Sequence, residues 1–265
     1  MTKNLGSVQN NGVEVTLTTT LFDRRNFGWD LTLGGSHNSN KILSMGLDAN
    51  GKPNPTIGTG TNRDSLGLPV NGVFSRPYTY ADADGNGIIT PDEVKVASDF
   101  IYAGYASPRD IITVQNGFDL FRRKLHLQAL VDYKGGFILN NSTVSFYCQQ
   151  FLTCYDETHL NTPLDKQARV VALRYEKPNT GWGYLENGQF WKLREVSATL
   201  TLPDRAAHTI RARDASLSFQ ARNLHTWTAY TGTDPESNYS TGDVQTDFST
   251  TAPRTYFILR LNLHY

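Results

Sequence analysis

The last twelve residues of the chain, 254–265, place apolar side chains at every second position, with mostly polar side chains between them. Phe257, Leu259 and Leu261 fall on one face of an extended chain, whereas Arg260 falls on the other. Side chains of a β-strand alternate with a period of two residues, so the segment predicts a strand with one apolar and one polar face. Such a strand suits a membrane β-barrel, in which roughly 9–11 tilted residues cross the bilayer and no sheet edge is left open to lipid. The terminal strand of a soluble β-sandwich is the alternative.

Composition narrows the class of protein without choosing one. The 265 residues include 25 basic and 25 acidic side chains, so the formal net charge is zero and gives no argument for a nucleic-acid partner. Aromatic residues are frequent, with 13 Tyr and 13 Phe, and the chain is also rich in Thr, Gly and Asn. This mixture is typical of strands joined by turns. No window of about 18 apolar residues predicts a transmembrane helix.

Three hairpins with alternating apolar and polar residues follow one another along the chain. Their strands are joined by short turns at residues 23–26, 122–124 and 203–207. A long loop follows each hairpin, at residues 41–73, 135–186 and 227–253. The third of these loops leads into the last strand. Short turns on one rim and long loops on the other are typical of an outer-membrane barrel, whereas a soluble sandwich has shorter and more even spacing. In the second long loop, residues 164–175 predict a short helix.

The chain has two cysteines, Cys148 and Cys154, in the second long loop. Their spacing matches no metal-binding pattern, because there is no Cys-x-x-Cys motif and only His159 lies near. Two interpretations stay open. The cysteines form a small-loop disulfide in an oxidising compartment, or they are two free thiols.

Three segments of the C-terminal half carry recognisable motifs. Residues 190–197 read Phe-Trp-Lys-Leu-Arg-Glu-Val-Ser, residues 217–228 read Leu-Ser-Phe-Gln-Ala-Arg-Asn-Leu-His-Thr-Trp-Thr, and residues 253–263 read Pro-Arg-Thr-Tyr-Phe-Ile-Leu-Arg-Leu-Asn-Leu. Together they resemble the C-terminal region of SusC/RagA-type TonB-dependent outer-membrane receptors. Residues 8–14 and 132–136 resemble earlier strands of the same barrel, so the resemblance covers nearly the whole chain.

The resemblance implies an all-β fold, namely an antiparallel transmembrane β-barrel portion with about eight strands of a barrel of about 22, and with long extracellular loops. Residues 1–265 then form one region, the C-terminal part of the receptor barrel, and we expect the plug domain and the signal peptide to be absent from them. The implied protein is a transporter of the cell outer membrane rather than an enzyme, and it takes up oligosaccharides or peptides. The implied partners are a SusD-like lipoprotein, TonB acting through the plug, and outer-membrane lipid, with no nucleic acid.

Residues 82–93 match the spacing of a calcium-binding loop. Carboxylate and amide side chains stand at positions one, three and five of the loop, a backbone carbonyl at position seven, and a carboxylate that can bind through both oxygens at position twelve. Oxygen atoms are the ligands that Ca²⁺ prefers. The predicted ligands are Asp82, Asp84, Asn86, Ile88 and Glu93.

The surroundings of this loop leave two interpretations open. Gly87 at position six permits the sharp turn that calcium loops require. Residues 77–80, however, predict an extended segment rather than the helix that normally precedes such a loop. The alternative is an Asp, Asn and Gly turn held by side-chain hydrogen bonds with no ion.

The sequence predicts no catalytic site. The six histidines are scattered with no pair at ligand spacing, and neither a nucleophile elbow nor a phosphate-binding loop is present. Aromatic residues of the long loops are candidates for stacking on sugar rings, with loop packing or a membrane-interface girdle as the alternative: Tyr147, Phe151, Tyr155, Trp182, Tyr184, Trp227 and Tyr230. Two functions therefore compete, a receptor of the resembled class and an exported calcium-binding β-protein that uses residues 82–93.

Overall fold

The computed structural model describes residues 6–48, 50–150, 154–159, 161–237 and 246–265. In chain order the strands are β1 (Ser7–Arg24), β2 (Phe27–Ser44), β3 (Thr56–Thr59), β4 (Asn62–Ser65), β5 (Gly72–Ser75), β6 (Tyr78–Tyr80), β7 (Val94–Val96), β8 (Ile101–Tyr105), β9 (Asp110–Leu120), β10 (Leu125–Gly135), β11 (Ile138–Asn140), β12 (Leu185–Asn187), β13 (Phe190–Thr201), β14 (Asp214–Thr228) and β15 (Tyr256–His264). The helices are α1 (Ser142–Gln150), α2 (Tyr155–Thr158), α3 (Leu164–Arg174) and α4 (Asp204–Thr209), with 3₁₀ turns at Pro91–Glu93 and Trp182–Tyr184.

Seven long strands form the main sheet, in the order β1-β2-β9-β10-β13-β14-β15. Every neighbouring pair is antiparallel, and the spatial order follows the chain order, so the sheet is a meander. The described residues thus place seven strands in this sheet, where the resemblance implied about eight. The strand predicted from residues 254–265 is β15, paired with β14 at the edge of the sheet.

The two ends of the main sheet differ, as the sequence predicts. At the short-turn end the connections are residues 25–26, 121–124 and 202–213, the last of which contains α4. At the other end the connections are residues 45–109, 136–189 and 229–255. The described parts of these three long connections, which contain the other helices and the four small sheets, are called the cap below.

One face of the main sheet, the outer face, is apolar and exposed. On β15, Leu259 is 71% exposed and Phe257 66% exposed. The strand register aligns a row of leucines across five neighbouring strands: Leu120, Leu125, Leu200, Leu217 and Leu261. Large contiguous apolar surfaces are rare on soluble monomers and mark contact with a membrane or another protein.

The opposite, inner face of the main sheet is polar. One row of neighbours on this face crosses six strands: Thr20, Asp30, Gly117, Gln128, Ser197 and Gln220. Because side chains alternate along each strand, this row is offset by one residue from the apolar positions. Apolar outside and polar inside is the arrangement of a membrane β-barrel wall.

Aromatic side chains gather at both ends of the outer face. Near the short-turn end, the ring of Trp29 stacks between Phe22 and Phe118, at centroid distances of 5.9 and 5.8 Å. Near the cap, the ring centroids of Tyr133 and Trp191 lie 5.0 Å apart. Aromatic girdles of this kind flank the apolar band of membrane barrels, because amphipathic rings favour the interface between lipid and water.

The cap contains the clusters of buried apolar residues. Helix α3, predicted at residues 164–175, packs Ala168, Val171 and Ala172 on one side against Ile89 and Val94. Its other side packs in a second cluster of Cys148, Cys154, Val170, Leu173 and Tyr184. Apolar residues at spacings of three and four positions explain why this short segment is helical. The negative charge of Asp165 in its first turn and the positive charge of Arg174 in its last turn interact favourably with the helix dipole.

Of the two interpretations of the cysteines, the structure has the disulfide. Cys148 at the end of α1 is bonded to Cys154, which directly precedes α2, and both are almost fully buried. The bond therefore ties two helices of the cap together against α3.

None of the helices in the described residues is long and apolar enough to cross a bilayer.

Candidate functional site

The predicted calcium loop lies in the cap and joins β6 to β7. Its flanks are strands, as the sequence predicts for the residues that precede it. The carboxylates of Asp82, Asp84 and Glu93 converge, with one oxygen from each within 4.8 Å of the others. Three of the five predicted ligands are therefore brought together, and all of the converging atoms are the hard oxygens that suit Ca²⁺.

Backbone amides organise these carboxylates. Glu93 accepts hydrogen bonds from the N–H groups of Ala83 at 2.6 Å and Thr90 at 3.0 Å. The Thr90 and Ala83 amides hold the pKa of the Glu93 carboxyl below its usual value. Gly87, with a positive φ of 79°, donates its N–H to Asp82 at 3.0 Å, so the predicted sharp turn is present.

The remaining two predicted ligands take part in local hydrogen bonds. The Asn86 side-chain oxygen accepts the Ile88 N–H at 2.7 Å, and its amide group donates to Asp84 at 2.7 Å. These bonds are those of the ion-free turn that the sequence left open. The choice between an ion site and such a turn stays a prediction.

The calcium-type loop is fixed to α3 by Gln167, a residue that the sequence did not single out. Its side chain accepts the Ile89 N–H at 2.9 Å and donates to the Gly87 carbonyl at 3.0 Å. A cleft of about 450 Å³ opens beside this contact, lined by the loop, α2 and α3. The separation of 78 to 80 residues explains why no local pattern reveals the pairing.

A cluster of six charged residues lies where the inner face meets the cap, and sequence reasoning missed it. The cations are Lys134, Lys192 and Arg194, and the anions are Asp132, Asp234 and Glu236. Residues 132 and 134 belong to β10 and residues 192 and 194 to β13, whereas residues 234 and 236 come from the last long loop. The three cations thus meet carboxylates that are distant in sequence.

Asp247 joins three segments of the cap. It is fully buried, and its carboxylate accepts hydrogen bonds from the Tyr230 hydroxyl at 3.0 Å and the Thr233 N–H at 2.9 Å. The Thr143 hydroxyl donates to its other oxygen at 2.8 Å. Burial and the nearby Asp247 charge raise the pKa of Tyr230, which keeps the phenol protonated as a donor.

The aromatic residues proposed for sugar stacking differ in exposure, and Trp182 is partly buried. Tyr184 and Tyr230 are buried in the cap and cannot present a ring to a ligand. Tyr147, Tyr155 and Trp227 are about half exposed or more. Phe151 lies outside the described residues.

The fold by itself defines a class of structure. A meander sheet with an exposed apolar face, a polar inner face, short turns at one end and a large cap at the other is a portion of a membrane β-barrel wall.

Comparison with known proteins agrees with this class. No family model matches the chain. TonB-dependent receptor P3 of Formosa agariphila is 22% identical over 270 residues, a match that covers 89% of this chain and 26% of that receptor. The RagAB peptide importer in its closed-closed state superposes with a TM-score of 0.71 at 17% identity, over 98% of this chain and 30% of the matched chain. Its open-open state gives 0.72 at 17% identity, over 99% and 29%.

The chain thus spans between a quarter and a third of the length of these relatives. The similarity to TonB-dependent receptors of the SusC/RagA type is confirmed, and with it the prediction of an antiparallel β-barrel portion with long loops. The relatives are named as a receptor and an importer, not as enzymes.

Proposed function

We propose that the chain forms the C-terminal part of the barrel wall of an outer-membrane TonB-dependent importer of the SusC/RagA type. The main support is the division of the sheet into an exposed apolar outer face and a polar inner face. Lipid would contact the outer face, and a polar solute would pass along the inner face. The cap would contribute to solute recognition, because its loops lie at one mouth of the barrel.

The proposed cargo is an oligosaccharide or a peptide, taken up together with a SusD-like lipoprotein. TonB would supply the energy through the plug domain that receptors of this class possess. The structural relative is a peptide importer, which favours the peptide alternative.

An uptake assay in the source bacterium tests this function. Deletion of the gene should abolish uptake of fluorescent peptides or oligosaccharides, and loss of TonB should have the same effect. Re-expression of the gene should restore uptake, whereas re-expression with the cap residues 142–174 deleted should restore the protein in the outer membrane but not uptake. Unchanged uptake of both cargo classes, or recovery of the protein in the soluble fraction, would contradict the proposal.

We also propose that the calcium-type loop binds Ca²⁺, on the strength of its three converging carboxylates. Titration calorimetry with CaCl₂ on the detergent-purified protein should give saturable binding. Glu93→Gln should weaken binding by about tenfold or more, because it removes one of the charged ligands that set affinity in such loops. Asp92→Asn, at an acidic residue outside the converging set, is the matched control and should change affinity little. Absence of saturable heat would leave the loop as an ion-free turn.

A further inference from the structure

The wall part of the six-residue cluster carries an unbalanced charge. To this cluster strands β10 and β13 supply three cations, Lys134, Lys192 and Arg194, but one carboxylate, Asp132. Asp132 is committed to Arg194, with which it makes two hydrogen bonds of 2.8 and 2.7 Å. Within the cluster the wall alone therefore has a net charge of about +2 at neutral pH.

The last long loop supplies the missing negative charge. Residues 233–237 are called the strap. The strap places the Glu236 carboxylate in contact with all three cations. Its carboxylate accepts hydrogen bonds from Lys134 at 2.8 Å and Lys192 at 3.0 Å, and Arg194 binds both of its oxygens. Asp234 adds a contact to Lys192 at 3.1 Å.

Burial makes this compensation necessary. The Lys192 side chain is 3% exposed, and a buried charge without a partner is strongly destabilising. In the described residues, the Asp234 and Glu236 carboxylates accept the hydrogen bonds that join the strap to β10 and β13. If the strap lifts, the cations need another anion of similar shape.

The arrangement of the cations suits a carboxylate in particular. The Arg194 guanidinium makes a forked contact with the two oxygens of Glu236, the geometry in which arginine recognises planar carboxylates. Lys134 and Lys192 add one ammonium group to each oxygen. The site therefore provides four charge-assisted contacts to a single carboxylate group.

We propose that Lys134, Lys192 and Arg194 form a carboxylate-binding site on the inner face, that the chain's own Glu236 occupies it, and that an anionic ligand competes with the strap for it. The ligand class is a solute bearing a free carboxylate, such as a peptide with its C-terminus or acidic side chains. That this solute is an imported cargo rests on the proposed function. The competition between the strap and a carboxylate does not depend on import.

Thiol accessibility at the strap tests the competition directly. Ser237 is buried next to Glu236, and the chain's two cysteines are joined in the disulfide. Ser237→Cys in the full chain, purified in detergent, therefore offers one protected thiol. A maleimide should label it slowly in buffer and faster with added succinate. Succinamide, which has no charge, and sodium chloride at matched ionic strength should not accelerate labelling.

A second substitution separates competition from general loosening. Adding Glu236→Gln to the Ser237→Cys protein should speed labelling by about tenfold and abolish the response to succinate, because charge-assisted contacts are lost. Glu195→Gln breaks the ion pair of Glu195 with Arg222 elsewhere on the inner face and is the matched control, with labelling unchanged.

Slow labelling that neither succinate nor Glu236→Gln alters would overturn the proposal and make the strap a permanent part of the wall. Labelling that responds equally to succinate, succinamide and salt would overturn it as well. Both results are independent of uptake, so failure of the import function and failure of this site are distinguishable.

Discussion

At the scale of single residues, Asp247 illustrates how a loop-rich cap is kept in one conformation. A fully buried carboxylate is costly unless its oxygens are satisfied, and here hydroxyl and amide donors from separate segments satisfy both. The same contacts fix the spacing between those segments. Asp247 therefore stabilises the cap through the donors that would be left unpaired without it.

Asp247→Ala should destabilise the cap by on the order of 3 kcal/mol, since several buried donors lose their acceptor. Tyr230→Phe removes one of those bonds and should cost about 1 kcal/mol. Native-state proteolysis of the detergent-purified protein measures both through the population of the opened cap. Equal and small effects of the two substitutions would show that the hydrogen bonds to Asp247 do not hold the cap.

Glu236 gives a prediction for pH. Burial alone would raise the pKa of its carboxyl, but hydrogen bonds from Arg194, Lys134 and Lys192 outweigh burial and hold the pKa well below its usual range. A carboxylate with a lowered folded pKa contributes stability above its unfolded pKa of about 4.3, and that stability is lost as the pH falls toward the folded pKa.

The difference in Tm between the protein and Glu236→Gln should therefore be constant between about pH 7 and pH 5 and shrink only below about pH 4. Thermal unfolding in detergent across this range measures it. A difference that disappears between pH 7 and pH 6 would contradict the ionised contact with the three cations.

At the scale of elements, the strands were predictable because a period of two residues is a local property. Leu259 and Arg260 take opposite faces in any β-strand, so the two faces of β15 follow from the sequence alone. Helix α3 was predictable for a similar reason, since its apolar residues recur at helical spacing. The calcium-type loop was found because all of its residues lie within one short segment.

The contacts that the sequence did not reveal join distant residues. Glu236 lies 102 residues from Lys134 and 42 from Arg194, and Gln167 lies 78 residues from Ile89. No periodicity links such positions, because the fold alone brings them together. A signal was nevertheless present for part of the ion cluster, since Asp132 and Lys134 stand at positions of β10 that alternation assigns to the inner face. Lys192 reaches that face only through the register irregularity of β13 between residues 193 and 195, which alternation does not predict.

The two faces of the main sheet predict opposite tolerance to charge. Leu259→Arg on the outer face should destabilise the protein in lipid by about 2–4 kcal/mol, because it places a cation near the middle of the bilayer. Gln220→Arg, on the inner face of the neighbouring strand, should cost less than about 1 kcal/mol. Urea unfolding in lipid vesicles compares them. Equal costs would contradict the assignment of the faces.

At the scale of the whole molecule, the main sheet suits contact with lipid, whereas the cap suits contact with water. The sheet keeps its apolar side chains exposed and its polar side chains inward, whereas the cap buries apolar residues around α3 as a water-soluble domain does. The disulfide and Asp247 stabilise the cap, where loops have little regular structure. The ion cluster connects the two parts at the mouth of the inner face.

The most direct measurement of whether the sheet is a barrel wall uses two adjacent positions of β15. Leu259→Cys and Arg260→Cys, each labelled with bimane in protein reconstituted in bilayers, should respond to opposite quenchers. A nitroxide carried on lipid chains should quench the label at position 259, and a water-soluble nitroxide should quench the label at position 260. If the water-soluble quencher reaches position 259 and the lipid-borne one reaches neither, the outer face does not contact lipid and the barrel assignment is wrong.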